Sequence, residues 1–380
     1  MKKASSVNRR TFIKTGAISA LATGLLSRNV QAETDQKDDR KDSKILNQHP
    51  QMSYRQLPGT DIHFSMLSLG GSSLKTNIAL YGIDHGINLI HMSERYGGGT
   101  PLKQLGEAMK TKRDKVYIAF KDNFNDIDKI LDILHTDHID FLMFNRHKKE
   151  GVTNPEIMKR FEGYKAKGKV KYAGLTTHGD VKGCVSAALE TGFYKLIMPV
   201  LNQPGLDSLD RELKIAREKD VGIMAMKSLK GLDDEKLQLA YMKKALANPA
   251  VTTITKGINN YEVMDKYIKA ISETFSLEED VFLYKHAQLN RSNNCMMCGA
   301  CEKVCPQNIQ ISSILRAKEY YFDQCGEKEM AMETFQNANA NGRRLSQCTV
   351  CGACESVCPN GIAVVNQLAA AGQFFQKVMV

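Results

Sequence analysis

Eight of the ten cysteines fall into two copies of one spacing, Cys295-x2-Cys298-x2-Cys301-x3-Cys305-Pro306 and Cys348-x2-Cys351-x2-Cys354-x3-Cys358-Pro359. Three thiolates in one compact loop can cap three corners of a four-iron, four-sulfur cubane, while the fourth cysteine, followed by proline, turns away. The chemistry of such a group is one-electron transfer. Zinc sites pair their ligands across a longer finger, and no histidine sits inside either run, so zinc fits poorly. Disulfides suit an exported chain, but crosslinking does not explain two copies of the same run, each closed by proline. Cys184 and Cys325 stand outside both runs and read as small buried hydrophobes.

The two runs resemble bacterial two-cluster ferredoxins. That resemblance implies crossed ligation, with Cys295, Cys298, Cys301 and Cys358 on one 4Fe-4S cluster and Cys348, Cys351, Cys354 and Cys305 on the other. Between the runs lies a long insert with helical patterns at 311–322 and 327–340, so the unit reads as a small, mainly α-helical ferredoxin-type domain over 277–380. Ser276-Leu277-Glu278-Glu279 opens it as a helix start. A final apolar-faced helix at 362–378 is expected to pack on the preceding domain.

The elements upstream must provide whatever the electrons act on. From 54 to 276, short apolar runs at 65–69, 88–91, 116–120, 141–145, 170–175, 196–201, 222–226 and 251–255 each precede a segment of helical period. Eight strand–helix units predict an α/β fold, a (β/α)8 TIM barrel with its chemistry at the C-terminal strand ends. An open doubly wound sheet is the competitor, but no Gly-x-Gly-x-x-Gly follows the first strand. Residues 54–64 read as a hairpin around Pro58-Gly59 that caps the barrel's bottom.

The words at 86–97 (GINLIHMSERYG), 116–121 (VYIAFK), 138–146 (HIDFLMFNR), 168–175 (GKVKYAGL) and 248–254 (NPAVTTI) resemble, in order and spacing, strand ends of aldo-keto reductases. The resemblance implies a tetrad of proton-donating tyrosine, lysine, aspartate and histidine. Tyr96 and Lys121 match the first two, but His91 takes the aspartate position and Asn145 the histidine position. A cation beside Tyr96 would favour its phenolate, His91 cannot supply the anion that holds Lys121 charged, and Asn145 can donate but cannot exchange a proton. Arg95, Asn202, Gln203 and His178 fall at rim positions.

The same resemblance implies NADP(H), held on the loops after the seventh and eighth strands. Lys256, before a helix start at Asn259 or Asn260, suits a phosphate. Other contacts are missing together: Lys256 replaces a proline, the Glu-Asn pair that grips adenine is absent, and Thr176-Thr177 replaces the Ser-Asn pair that holds the carboxamide.

The N-terminus carries Lys2 and Lys3, then Asn8-Arg9-Arg10-Thr11-Phe12-Ile13-Lys14, a modestly apolar stretch to Leu26 and a small-residue site at Val30-Gln31-Ala32. This resembles a twin-arginine export signal over 1–32, which implies a periplasmic or otherwise exported protein that leaves the cytoplasm folded around its clusters. The apolar stretch is shorter than the roughly 20 residues of a membrane span, and no later run qualifies. Residues 1–32 hold six basic residues and no acidic one, so a formal charge of +10 falls to about +4 without them. That mild balance, with no basic stripe, points to no nucleic-acid partner. Residues 33–53 read as a flexible linker.

Three functions remain: an exported iron–sulfur oxidoreductase whose clusters exchange electrons with a barrel site, a small-molecule substrate and an unknown redox partner; an electron-transfer protein with a retired barrel; and an NADPH-dependent carbonyl reductase with accessory clusters.

Overall fold

The computed structural model describes residues 45–293, 295–340 and 344–378. The segment read as an export signal and most of the linker lie outside the described residues. Ten strands form: β1 (Tyr54–Gln56), β2 (His63–Ser65), β3 (Leu67–Gly70), β4 (Leu89–Met92), β5 (Tyr117–Lys121), β6 (Ile139–Asn145), β7 (Val170–Thr177), β8 (Leu196–Pro199), β9 (Gly222–Ala225) and β10 (Val251–Lys256). β3 to β10 close into a parallel barrel in chain order, with β10 pairing β3. All eight sequence-derived strands are therefore present, with their ends shifted by at most two residues.

The pleat decides which side chains reach the barrel interior. Parallel register sets His91 beside Ala119, Lys121 beside Met143, and Asn145 beside Thr176. The same face carries Phe141 and Tyr172 level with Ala119, stacked 5.2 Å apart, and Tyr117 one layer below them. β1 and β2 form the expected hairpin, and its fully buried Phe64 meets Tyr117 and Phe141 edge-on, closing the bottom. Aromatics fill the bottom of the barrel, so the polar groups gather at its C-terminal mouth.

Residues 45–53, the described part of the segment read as flexible linker, lie against the barrel. The Asn47 amide donates to the Ile83 and Ile87 carbonyls, Asn88 donates to Leu46, and Met52 is buried. These backbone partners fix the segment, which polarity alone did not reveal.

Helix Leu277–Asn290 opens with a full capping box between Ser276 and Glu279, as its sequence indicates. The insert between the cysteine runs folds as Ile311–Leu315, continues as a π-helix over Arg316–Gln324, and returns as Lys328–Ala338. The last helix, Val364–Val378, was expected on the barrel; its Phe375 stacks on Phe335 and its Phe374 meets Phe322 edge-on, so it covers the insert instead. The insert offers the nearer apolar face. No helix among the described residues is long and apolar enough to cross a membrane.

Candidate active site and cluster sites

Each cysteine run builds the same loop. Met297 and Val350 take left-handed backbone (φ 57° and 56°), Gly299 and Gly352 follow at 76° and 72°, and Asn308 and Gly361 match at 52° and 65°. Gly299 has a second reason to lack a Cβ: one there would sit 2.8 Å from the Asp180 amide nitrogen, where the loop meets the barrel. These turns aim backbone N–H groups at sulfur; Met297 donates to Cys295 Sγ at 3.4 Å and Ile362 to Cys358 Sγ at 3.5 Å.

The thiols then sort across the two runs. One small cavity is lined by Cys295, Cys298, Cys301 and Cys358, together with Ser312 and Leu315. The other is lined by Cys305, Cys348, Cys351 and Cys354, with Ile309, Ile311 and Leu368. None of the ten cysteines is paired in a disulfide, and among the described residues no three His, Cys, Asp or Glu side chains gather as they would around a single ion. Four sulfurs ringing an apolar cavity fit a cubane, whose ligands stand farther apart than those of one metal. Burial pushes the Cys295 thiol up to about 12, so its thiolate needs iron in place of the proton. Cys351 is exposed, whereas Cys295 is buried beside the barrel.

The barrel's mouth holds a cavity of 360 Å³. His91, Tyr96 and Lys256 line it, as do Met198, Met226, Lys227 and Thr255, and a third wall comes from Tyr320, Tyr321, Gln324, Cys325 and Glu327 of the insert. Lys121 lies just behind Tyr96, its Nζ 5.3 Å from the ring centroid. Asn145 does not reach the cavity wall; its backbone N–H donates to Asp122, which also accepts from Arg146 and Arg160. Of the rim candidates, His178 stacks on His147 at 4.1 Å and meets Arg316 at 2.7 Å, while Arg95 is exposed. Asn202 caps the following helix through the Gly205 N–H, and Gln203 donates to the Leu283 carbonyl. Both border a separate 640 Å³ cavity beside helix Leu277–Asn290. Cys184 is buried as expected, but Cys325 is not a core residue: it lies in the mouth because the insert doubles back there.

Electrostatics at the mouth differ from the expectation for a tyrosine beside a lysine. Burial pushes the Tyr96 phenol well above its ordinary 10, Tyr321 and Glu327 add to that, and Arg316 opposes it. Tyr96 therefore stays a neutral phenol, able to give a proton. Burial, then Arg316, brings Lys121 down to about 8 against the pull of Asp122. Burial and Lys121 hold His91 well below 6.5, so it is neutral, and its Nε2 has no partner. An unpartnered buried group of this kind costs about 1–3 kcal/mol. If the Lys121 cation contributes to turnover, kcat/KM should fall as pH rises through about 8. Lys121→Met should abolish that limb in a pH–rate profile, and a limb unchanged in the variant would assign it elsewhere.

Residues 66–279 match the aldo/keto reductase family, over half of the 380 residues. The chain belongs to the aldo/keto reductase family. Residues 291–362 match the 4Fe-4S dicluster domain, so this aldo/keto reductase carries a ferredoxin domain at its C-terminal side. No curated protein matches the chain. Among solved structures, an aldo-keto reductase from Bacillus halodurans in its holo form is 19% identical, with a TM-score of 0.53, covering 62% of this chain and 96% of its own. A putative aldo-keto reductase from Pseudomonas aeruginosa is 20% identical at TM-score 0.51, covering 60% of this chain and 96% of its own. At these identities the likeness speaks for the barrel fold alone.

Several mouth residues escaped the sequence reading: Lys227, Arg316, Tyr320, Tyr321 and Glu327. Arg316 and the Tyr320-Tyr321 pair fall four and five residues apart, one helical turn, in an insert far longer than two cluster loops require. That spacing was the available signal. Lys227 gave another only in three dimensions, where it adopts φ 53°.

Proposed function

We propose that this protein is an exported iron–sulfur oxidoreductase in which two 4Fe-4S clusters exchange electrons with the substrate cavity at the barrel mouth. The observation that carries the reading is one continuous helical segment lining both places. Ser312 and Leu315 border the cavity of Cys295, Cys298, Cys301 and Cys358, and Tyr320 and Tyr321 border the cavity of Tyr96 and His91. Leu315 and Tyr320 are five positions apart on this segment, so the two walls are about one helical turn from each other. Each cluster, when bound, supplies transfer of one electron at a time.

The chain's own groups do the rest. Tyr96 holds the proton exchanged with a substrate oxygen, and Lys121 stands on its ring as a cation that is half-populated near pH 8. His91 replaces the family's aspartate as a neutral group, which leaves Lys121 without an adjacent anion on β4. Replacement of half the tetrad suits an enzyme that does not use the family's hydride chemistry.

The nucleotide seat supports the same reading. Gln324 accepts from the Gly231 N–H at 3.1 Å and donates to the Leu229 carbonyl at 2.6 Å, and Lys230 pairs with Glu319 at 2.9 Å. The loop after β9, which the family uses for nucleotide phosphates, is thus bonded to the insert. A fluorescence titration of the anaerobically purified protein with NADPH is expected to show no saturation at micromolar concentration. Micromolar binding would overturn the cluster-fed reading in favour of a nucleotide-dependent carbonyl reductase. Export rests on the twin-arginine resemblance and on a cluster domain that must be assembled before the protein leaves the cytoplasm.

A further inference from the structure

The cavity at the mouth has a charge imbalance that electron transfer by itself does not explain. Lys227 and Lys256 stand in its wall. Lys121 lies behind Tyr96, and the Arg316 guanidinium lies 5.9 Å from the Tyr321 ring centroid. Lys121, Lys227 and Arg316 are each more than nine-tenths buried. Lys227 is held by the Tyr321 hydroxyl at 2.9 Å and by the faces of Tyr320 and Tyr321, all neutral partners.

The acids nearby do not balance these cations. Among the described residues Glu327 is the one carboxylate in the cavity wall, and it accepts from the Ser72 hydroxyl at 2.7 Å. Glu319 pairs with Lys230, and Asp122 is committed to Arg146 and Arg160. Burying like charges side by side costs free energy unless an opposite charge joins them. Lys227 shows the conflict, since burial and then Arg316 and Lys121 drive it well below 10.5.

Unmet polar groups face the same space. His91 Nε2 and Thr255 Oγ1 belong to residues that line the cavity, are buried, and have no partner; Arg316 Nε behind the wall has none either. The volume of 360 Å³ is near the lower end of small-molecule sites, which span about 300–1,000 Å³.

We propose that this cavity takes a small molecule through a carboxylate, held by Lys227 with Lys121 and Arg316 behind it, so that the reacting oxygen lies toward Tyr96. This rests on the mouth being the substrate site. The carboxylate would restore the charge of the two lysines and give the unpartnered donors an acceptor.

The test is calorimetric titration of the anaerobically purified, oxidised protein with no electron donor, using succinate, its neutral isostere succinamide and inorganic phosphate as probes. Succinate should bind with one site, and succinamide and phosphate each at least about tenfold more weakly. Lys227→Gln should weaken succinate by about tenfold or more while iron content stays at the wild-type level. If Lys227→Gln loses iron or fails to fold, Lys256→Gln reads the charge of the other lysine in the cavity wall, with an expected loss of about threefold or more. Equal affinity for succinate and succinamide, tighter binding of phosphate, absence of succinate binding, or full affinity in the lysine variants would overturn the proposal. Because no electrons move in this measurement, its failure is separable from failure of the redox reading, which is judged by turnover.

Discussion

Cys358→Ala should cut the iron of anaerobically purified protein from about eight to about four atoms per chain, through loss of the cluster nearest the barrel. The structure makes the identity of the lost cluster specific, since Cys358 lines the cavity of Cys295, Cys298 and Cys301 and not that of its own run. Adding Cys298→Ala to Cys358→Ala should remove nothing more, because both serve one cluster. Adding Cys351→Ala should bring iron close to zero. Cys305→Ala gives the mirror pattern, redundant with Cys351→Ala and additive with Cys298→Ala. If each run closed its own cluster, these pairings would exchange, and iron and acid-labile sulfide counts would show it. The Cys358 variants should also lose electron exchange with the mouth, since the cavity that Cys358 lines is the one bordered by Ser312 and Leu315.

Tyr96→Phe should lower turnover with an artificial electron donor by about 10²–10⁴-fold, the usual contribution of a positioned proton donor. The ring remains, so the contact with Lys121 and the edge-on approach to His91 at 6.0 Å survive, and KM should change little. Iron content should stay at the wild-type level, because Tyr96 touches neither cysteine cavity. An unchanged kcat would mean that the barrel is a scaffold and that electrons pass through the chain without chemistry at its mouth. A loss confined to KM would make Tyr96 a binding group.

The opposing burials at this site explain why these two variants carry the largest effects. The cysteine cavities are small and apolar, so removing one thiolate leaves no other sulfur to take the vacant iron. Tyr96 is held neutral by its surroundings, and no other phenol in the cavity stands beside Lys121; Tyr320 and Tyr321 belong to Lys227.

Much of this architecture was legible because it is local. Alternating apolar runs and helical periods marked all eight barrel strands. The Pro58-Gly59 turn marked the hairpin, and Ser276 with Glu279 marked a helix start that forms a complete capping box. The cysteine spacing carried the loop conformation with it, down to matching left-handed residues at Met297 and Val350. His91, Tyr96 and Lys121 were marked by the resemblance of the words at 86–97 and 116–121 to aldo-keto reductases, and those words are contiguous in the chain.

Other features depended on which distant surfaces meet. The described linker residues are pinned by barrel carbonyls, Cys325 turned out to line the mouth, and the last helix covers the insert, none of which a polarity or apolar pattern can specify. Asn145 was matched to a tetrad position by register, yet Asp122 and its two arginines hold its backbone, and its side chain stops short of the cavity wall.

By itself the sequence determined that this chain pairs a barrel with a paired-cysteine cluster domain, because strand periodicity, turns and metal-loop spacing are encoded within a few residues of one another. Only the tertiary structure decided that the insert closes the mouth and brings Arg316, Tyr320, Tyr321 and Glu327 to Tyr96 and Lys227. Those groups are separated by about 90 residues or more in the chain, and their meeting is set by the packing of whole elements and the pairings Lys230–Glu319 and Gln324–Gly231. Charge balance in the cavity is a sum over all of them, so it exists only once they are assembled.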